Sequence, residues 1–499
     1  MTLGISRRYF LSAAAGALLA GPAVAGAPSV SLRPQARPAG GLSRAARAPD
    51  AQALIDAAQL GGAVGYAVVD VRTGNVLESH NPAQGFAPAS VTKAITALYG
   101  IRSLGAGYRF RTRLIATRAV ENGVIKGDLI LAGGGDPTLD TDALAGMAAD
   151  LKAAGIRAVD GAFRVFGDAL PYTRVIDADQ PDHVGYNPTI SGLNLNFNRV
   201  HFAWQRGSGG YTVTMDARSG KYRPEVRVAR MRVANRQSPL YTYTDGGDHD
   251  AWTVAQGALG NSGTRWLPVR RPAEYAGEVF AGFARSQGID LKMGSPLSRL
   301  PRGTALVTHQ SAALSIIVRD MLKYSNNLTA ELVGMTATAA RKGSVASLAA
   351  SGREMSTWAQ ANLGLRGARL VDHSGLGPAS SVTPQALAQA MAAVYAENVL
   401  GPLMKPFTMR HKDGQVNNAH PVTVQAKTGT LFFVSTLSGY ATGPDGRPLA
   451  FAILSANNDL RRGLNKNTQG RPAGASAWNK RAKALQQALI ERWDAAYTG

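Results

Sequence analysis

No cysteine occurs among the 499 residues. Disulfides, thiol nucleophiles and cysteine-held metals are therefore excluded, although this alone does not fix the compartment. Acidic residues are also scarce: 33 Asp and Glu stand against 54 Lys and Arg, a formal net charge of +21. So basic a chain favours anionic surroundings, whether nucleic acid, an acidic membrane surface or an anionic cell envelope. The eight histidines form no His-x-x-x-His or similar grouping, so no metal is expected, and no other cofactor is called for. No apolar run beyond the N-terminus is long enough for a membrane span, which takes about 20 residues. The hydrophobic content of 45% is ordinary and supplies a sizeable core.

The N-terminus speaks to compartment. Ser6-Arg7-Arg8-Tyr9-Phe10-Leu11 leads into an Ala-rich apolar run, and Ala23-Val24-Ala25 offers a small-residue cleavage site. That order is an export signal, and the paired arginines point to the twin-arginine type. Residues 1–25 are thus read as a signal peptide and 26–48, rich in Pro, Ala, Gly and Arg, as a flexible linker. The expected location is periplasmic. Nucleic acid then drops out as a partner, and peripheral contact with the anionic envelope remains.

Along the rest of the chain, Gly62–Val71 alternates as a strand, and Arg72-Thr73-Gly74-Asn75 turns it back into Val76-Leu77. Short β-like runs dominate from Tyr99 to about Gly303: Arg111–Thr117, Asp128–Ala132, Tyr211–Met215 and Val226–Val233. Lys221, Arg223, Arg227, Arg230, Arg232 and Arg236 cluster there. They read first as a solvated sheet face and second as a patch for an anionic polymer. Pro272–Gln287 has a helical stripe. From about Ala305 the pattern alternates helix and strand, and it ends in a helix with Trp478, Ala482, Leu485, Leu489 and Trp493 on one face.

Three short motifs carry chemistry. Ser90-Val91-Thr92-Lys93 stands where apolar residues begin a helical spacing, which puts Ser90 and Lys93 on one face, one turn apart. A serine needs a neighbouring base, and a lysine serves only if burial or nearby positive charge keeps it neutral. Alone, this motif reads more simply as a capped helix with an exposed lysine. Ser325-Asn326-Asn327, in a loop between helices, and Lys427-Thr428-Gly429, on a strand edge, change that reading. Together the three form the Ser-x-x-Lys, Ser-x-Asn, Lys-Thr-Gly set of penicillin-recognising serine enzymes.

The chain resembles the class C low-molecular-mass penicillin-binding proteins, the D-Ala-D-Ala carboxypeptidase/endopeptidase group of peptidase family S13. The likeness extends to Gly127-Asp128-Leu129, Gly135-Asp136-Pro137-Thr138-Leu139, Leu193–Asn198, Ser325–Glu331 and Ala426–Tyr440. It implies an α/β (α+β), β-lactamase/transpeptidase-like catalytic domain, residues 49–100 and 305–499, split by a mainly-β insertion at 101–304 of two subdomains. It also implies peptidoglycan stem peptides as substrates, β-lactams as inhibitors and acyl transfer through Ser90.

Residue by residue, the resemblance gives Lys93 as base, kept neutral by Lys427 and partial burial. Ser325 would relay the proton to the leaving amine, and Asn327 would hold the substrate amide. Lys427, Thr428 and Thr430 would bind the terminal carboxylate, and the Ser90 and Thr430 N–H groups would form the oxyanion hole. Asp372-His373-Ser374-Gly375-Leu376-Gly377 departs from the family's usual Asp-Gly-Ser-Gly-Leu-Ser. His373 is expected to be an exposed loop histidine, with ligand contact as the second reading. A β-lactamase or D-amino-acid esterase of the same superfamily, or an inactive cell-wall binding protein, are the competing functions.

Overall fold

The computed structural model describes residues 48–498, except 412, 466, 468 and 469. The export signal and residues 26–47 of the linker lie outside the described residues. The expected mixed helix-and-sheet class is what the chain adopts.

A five-stranded antiparallel sheet organises the part around Ser90. Its order is Thr423–Leu431, Val434–Thr442, Pro448–Ala456, Ala63–Asp70, Val76–His80. Successive side chains on a strand point to opposite faces. On the strand Ala63–Asp70, Ala67 and Val69 join one core with Ile95, Leu98, Ile317, Leu387 and Met391. Tyr66 and Val68 join another with Trp478, Leu485, Leu489 and Trp493. Both faces are covered by helices, so the inner strands read as nearly unbroken apolar runs. Each large apolar side chain buried in this way contributes about 1.5–3 kcal/mol. The expected C-terminal helix forms as Ala475–Trp493, and all five of its apolar marker residues are buried. Arg492 Nη2 pairs with Glu78 Oε2 at 2.8 Å, fastening that helix to the sheet's edge strand.

Residues 111–310 build separate sheets over their own core. One has four strands in the order Thr304–Gln310, Arg111–Ala116, Leu129–Ala132, Phe163–Phe166. Three more have three strands each, centred on Arg199–Gly207, Asp250–Ala255 and the short Val124–Ile125. The stripe at Pro272–Ser286 is helical, as its periodicity predicts. A second helix, Thr141–Ala153, is not evident from the sequence pattern; Asp140 caps it by accepting from Ala143 N. Its buried Leu144, Met147, Ala148 and Leu151 stand in a background of Ala, Gly and Asp that gives little hydrophobic contrast. Of the clustered cations, Lys221, Arg223, Arg227, Arg230 and Arg232 are exposed, while Arg236 is half-buried and donates to the Pro239 carbonyl. Among the described residues, no helix is long and apolar enough to cross a membrane.

Candidate active site

Ser90 lies on one turn of 3-10 helix, Ala89–Val91, that feeds directly into the helix Thr92–Leu104. Ala89, just before it, has φ 47°, a left-handed conformation that costs a non-glycine residue energy and is typical of sites held by their surroundings. Two glycines make room for this turn. A Cβ on Gly375 would sit 1.8 Å from Ala89 O, and one on Gly429 would sit 2.9 Å from Ser90 N and 2.2 Å from Thr436 Oγ1. The strand carrying Lys427 and the loop 372–377 can therefore close directly on the serine.

The second motif sits at a helix junction. Ser325 ends the helix Leu314–Tyr324 in a left-handed conformation, Asn326 caps the next by accepting from Thr329 N, and Asn327 begins the helix Asn327–Lys342. The third lies on the edge strand. Lys405 and Phe407 hydrogen-bond its Val424–Ala426 portion, and Lys427–Leu431 continues past the serine. Ser90, Ser325, Asn327, Lys427, Thr428 and Thr430 line one cleft of about 2040 Å³. Gly429 lies behind its wall, against Ser90 N. The sequence-predicted residues are thus brought together.

Lys93 is wholly buried. Its Nζ lies 3.0 Å from Ser90 Oγ, 2.6 Å from Asn327 Oδ1 and 2.8 Å from Ser374 O. Two of these partners are carbonyl oxygens, which only accept. A neutral amine has two N–H donors and one lone pair. With its donors committed to Asn327 and Ser374, the lone pair is left for the Ser90 hydroxyl. That is the geometry a general base requires.

The electrostatics depart from the expectation of two lysines depressing one another. Burial is the leading cause that pushes Lys93 below the usual lysine range, and two buried carboxylates, Glu331 and Asp372, pull it back. Burial raises both of those carboxyls in turn. Lys93 is also fully, not partly, buried. Lys427 does behave as expected: burial first, then Lys93 and Lys405, lower it to about 7. Its Nζ donates to Ser325 Oγ at 3.1 Å and Thr428 O at 2.6 Å.

His373 corrects another expectation. It is not an exposed loop residue but has no exposure at all. Three helices enclose it, and burial pushes its imidazole down to about 3, so it stays neutral. Asn327 is also more committed than foreseen, since its Nδ2 donates to Tyr186 O at 2.7 Å. One Nδ2 proton is still free for a ligand.

Sequence reasoning missed Glu331, Asp372 and the Ser374 carbonyl. Glu331 accepts from the backbone N–H groups of His373 and Ser374, both at 2.9 Å. Its signal was present: it stands four residues after Asn327, on the same helix face, in an otherwise apolar run. Asp372 accepts from Gly375 N at 2.6 Å and Gly377 N at 2.5 Å.

Residues 49–475 match the D-Ala-D-Ala carboxypeptidase 3 (S13) family. The chain belongs to that family. Its enzyme class is accordingly D-Ala-D-Ala carboxypeptidase. It is 29% identical over 442 residues to a D-alanyl-D-alanine carboxypeptidase of an Actinomadura species, covering 81% of this chain and 80% of that one. It is 24% identical over 415 residues to the D-alanyl-D-alanine carboxypeptidase DacB of Haemophilus influenzae, covering 78% and 85%. The crystal structure of penicillin binding protein 4 (dacB) from Haemophilus influenzae shares the fold, with a TM-score of 0.72 at 19% identity over 89% of this chain and 99% of that one.

Proposed function

We propose that this carboxypeptidase works through a Ser90 acyl-enzyme, acts on peptidoglycan stem peptides outside the cytoplasmic membrane, also cleaves peptide crosslinks, and is inhibited by β-lactams. The observation that carries the reading is Lys93 Nζ at 3.0 Å from Ser90 Oγ, with its other two partners able only to accept. Lys93 takes the hydroxyl proton as Ser90 Oγ attacks the carbonyl of the penultimate D-alanine. The Ser90 and Thr430 N–H groups hold the oxyanion, each worth about 10²–10³ in rate. The C–N bond breaks as the leaving amine receives that proton by way of Ser325. Lys93, neutral again, takes a proton from a water that attacks the ester; the bond from the acyl carbon to Ser90 Oγ breaks, Ser90 Oγ receives that proton from Lys93, and the acid product leaves.

Lys427, Thr428 and Thr430 receive the terminal carboxylate, and the free N–H of Asn327 receives the substrate amide. Residues 101–304 are an insertion in the hydrolase fold, and the Tyr186 carbonyl on Asn327 brings that region to the cleft. β-Lactam inhibition draws support from the related Haemophilus influenzae structure, also solved complexed with a β-lactam. Mass spectrometry of muropeptides digested by the pure protein tests the reading. Loss of a terminal D-alanine and splitting of crosslinked dimers are expected. Rapid nitrocefin turnover with no D-alanine release would instead identify a β-lactamase, and binding without any release an inactive wall-binding protein.

A further inference from the structure

We propose that His373 is a positioning residue for Lys93; the proposal rests on reading Ser90 and Lys93 as nucleophile and base. Its ring is a wedge among three helices. Tyr99 of the helix Thr92–Leu104 stacks on it, with ring centroids 6.3 Å apart and planes at 7°. Ser351 Oγ lies 2.7 Å from Nε2, and Met355 Sδ lies 3.2 Å from Nδ1, both on the helix Leu348–Leu363. On the helix Asn327–Lys342 the ring lies against Gly334, where a Cβ would come within 2.1 Å of it. A chain of hydroxyls, Tyr99 to Thr338 to Ser351, ends on this imidazole.

The backbone beside the ring is what meets the base. His373 O accepts from Thr96 Oγ1 at 2.6 Å, on the helix that carries Lys93. His373 N and Ser374 N both donate to Glu331. Ser374 O, one residue on, is one of the two acceptors that aim the Lys93 lone pair at Ser90. The imidazole touches neither Ser90 nor the cleft, so it acts through the position of that carbonyl. Removing the ring opens a cavity between the loop and Gly334, and the Ser374 carbonyl loses its fixed distance to Nζ. Misplacement on the scale of 1 Å can cost catalysis as much as 10²-fold. Binding in the cleft, which the ring does not line, is left alone.

The test is stopped-flow acylation by nitrocefin, separating the first-order acylation constant from the dissociation constant of the non-covalent complex. His373→Ala is expected to lower the acylation constant by about tenfold at unchanged dissociation constant. His373→Asn, which keeps a polar group toward Ser351, restores most of the loss, and Ser351→Ala falls between. Wild-type acylation by folded His373→Ala overturns the proposal. So does a loss in all three variants that merely follows their folded fraction. If His373→Ala does not fold, an unchanged acylation constant in Ser351→Ala overturns it. A wild-type protein that is not acylated at Ser90 would break the underlying reading instead, and is distinguishable because no variant is then needed.

Discussion

The two lysines of the cleft occupy opposite kinds of surroundings. Lys93, at the floor, has no exposure, two acceptors and the Ser90 hydroxyl around its Nζ, and two buried carboxylates that offset its desolvation. Lys427, on the strand wall, meets a hydroxyl, a carbonyl and the charges of two further lysines, Lys93 and Lys405. The floor is therefore electrostatically balanced, burial disfavouring charge on Lys93 and Glu331 and Asp372 opposing it. The wall is incomplete. An amine whose charge its neighbours disfavour gains from an anion, and on the proposed reading the substrate's terminal carboxylate supplies it. On the proposed reading the floor serves proton transfer and the wall recognition.

Breaking the floor should have the largest effect. Lys93→Met is expected to slow acylation by about 10²–10⁴-fold, as loss of a general base does, in a protein that remains folded. Stopped-flow acylation and circular dichroism measure the two parts. Lys427→Met should instead act on binding, raising KM for a D-Ala-D-Ala peptide by about 10–100-fold. The same change should barely affect a substrate whose terminal carboxylate is esterified. Equal losses on both substrates would erase the distinction between floor and wall.

Glu331→Gln sharpens the floor's side of the comparison. The two N–H groups now held by the carboxylate would share one carbonyl oxygen, so stability should fall by about 1–3 kcal/mol in urea unfolding. The wall's side is read in a pH slope. Lys427 holds its proton only below about 7 when folded, whereas a free lysine holds it to about 10.4. Between those values the unfolded chain binds more protons, so this lysine makes stability rise with pH across the window. Lys427→Met should flatten that rise in melts taken from pH 7 to 10.

Much of this was readable from the chain. The three-residue step from Ser90 to Lys93 fixes their common helix face, and the Ser-Asn-Asn and Lys-Thr-Gly runs fall at a helix junction and on an edge strand. Such features are local, and local spacing carries them. His373 was not readable, because its burial depends on three helices from distant parts of the chain meeting over a loop. The cause expected to lower Lys93 is partly corrected. The depressing cause is burial rather than Lys427, and only the folded chain shows Glu331 and Asp372 opposing it. The helix Thr141–Ala153 is not legible in the sequence because small residues surround its few large ones.

The central claim is that Ser90 is the acyl-accepting nucleophile. Labelled penicillin, followed by digestion and mass spectrometry, tests it most directly. A single adduct is expected on the peptide containing Ser90 and none on Ser90→Ala. Equal labelling of both proteins, or an adduct on any other residue, would contradict it.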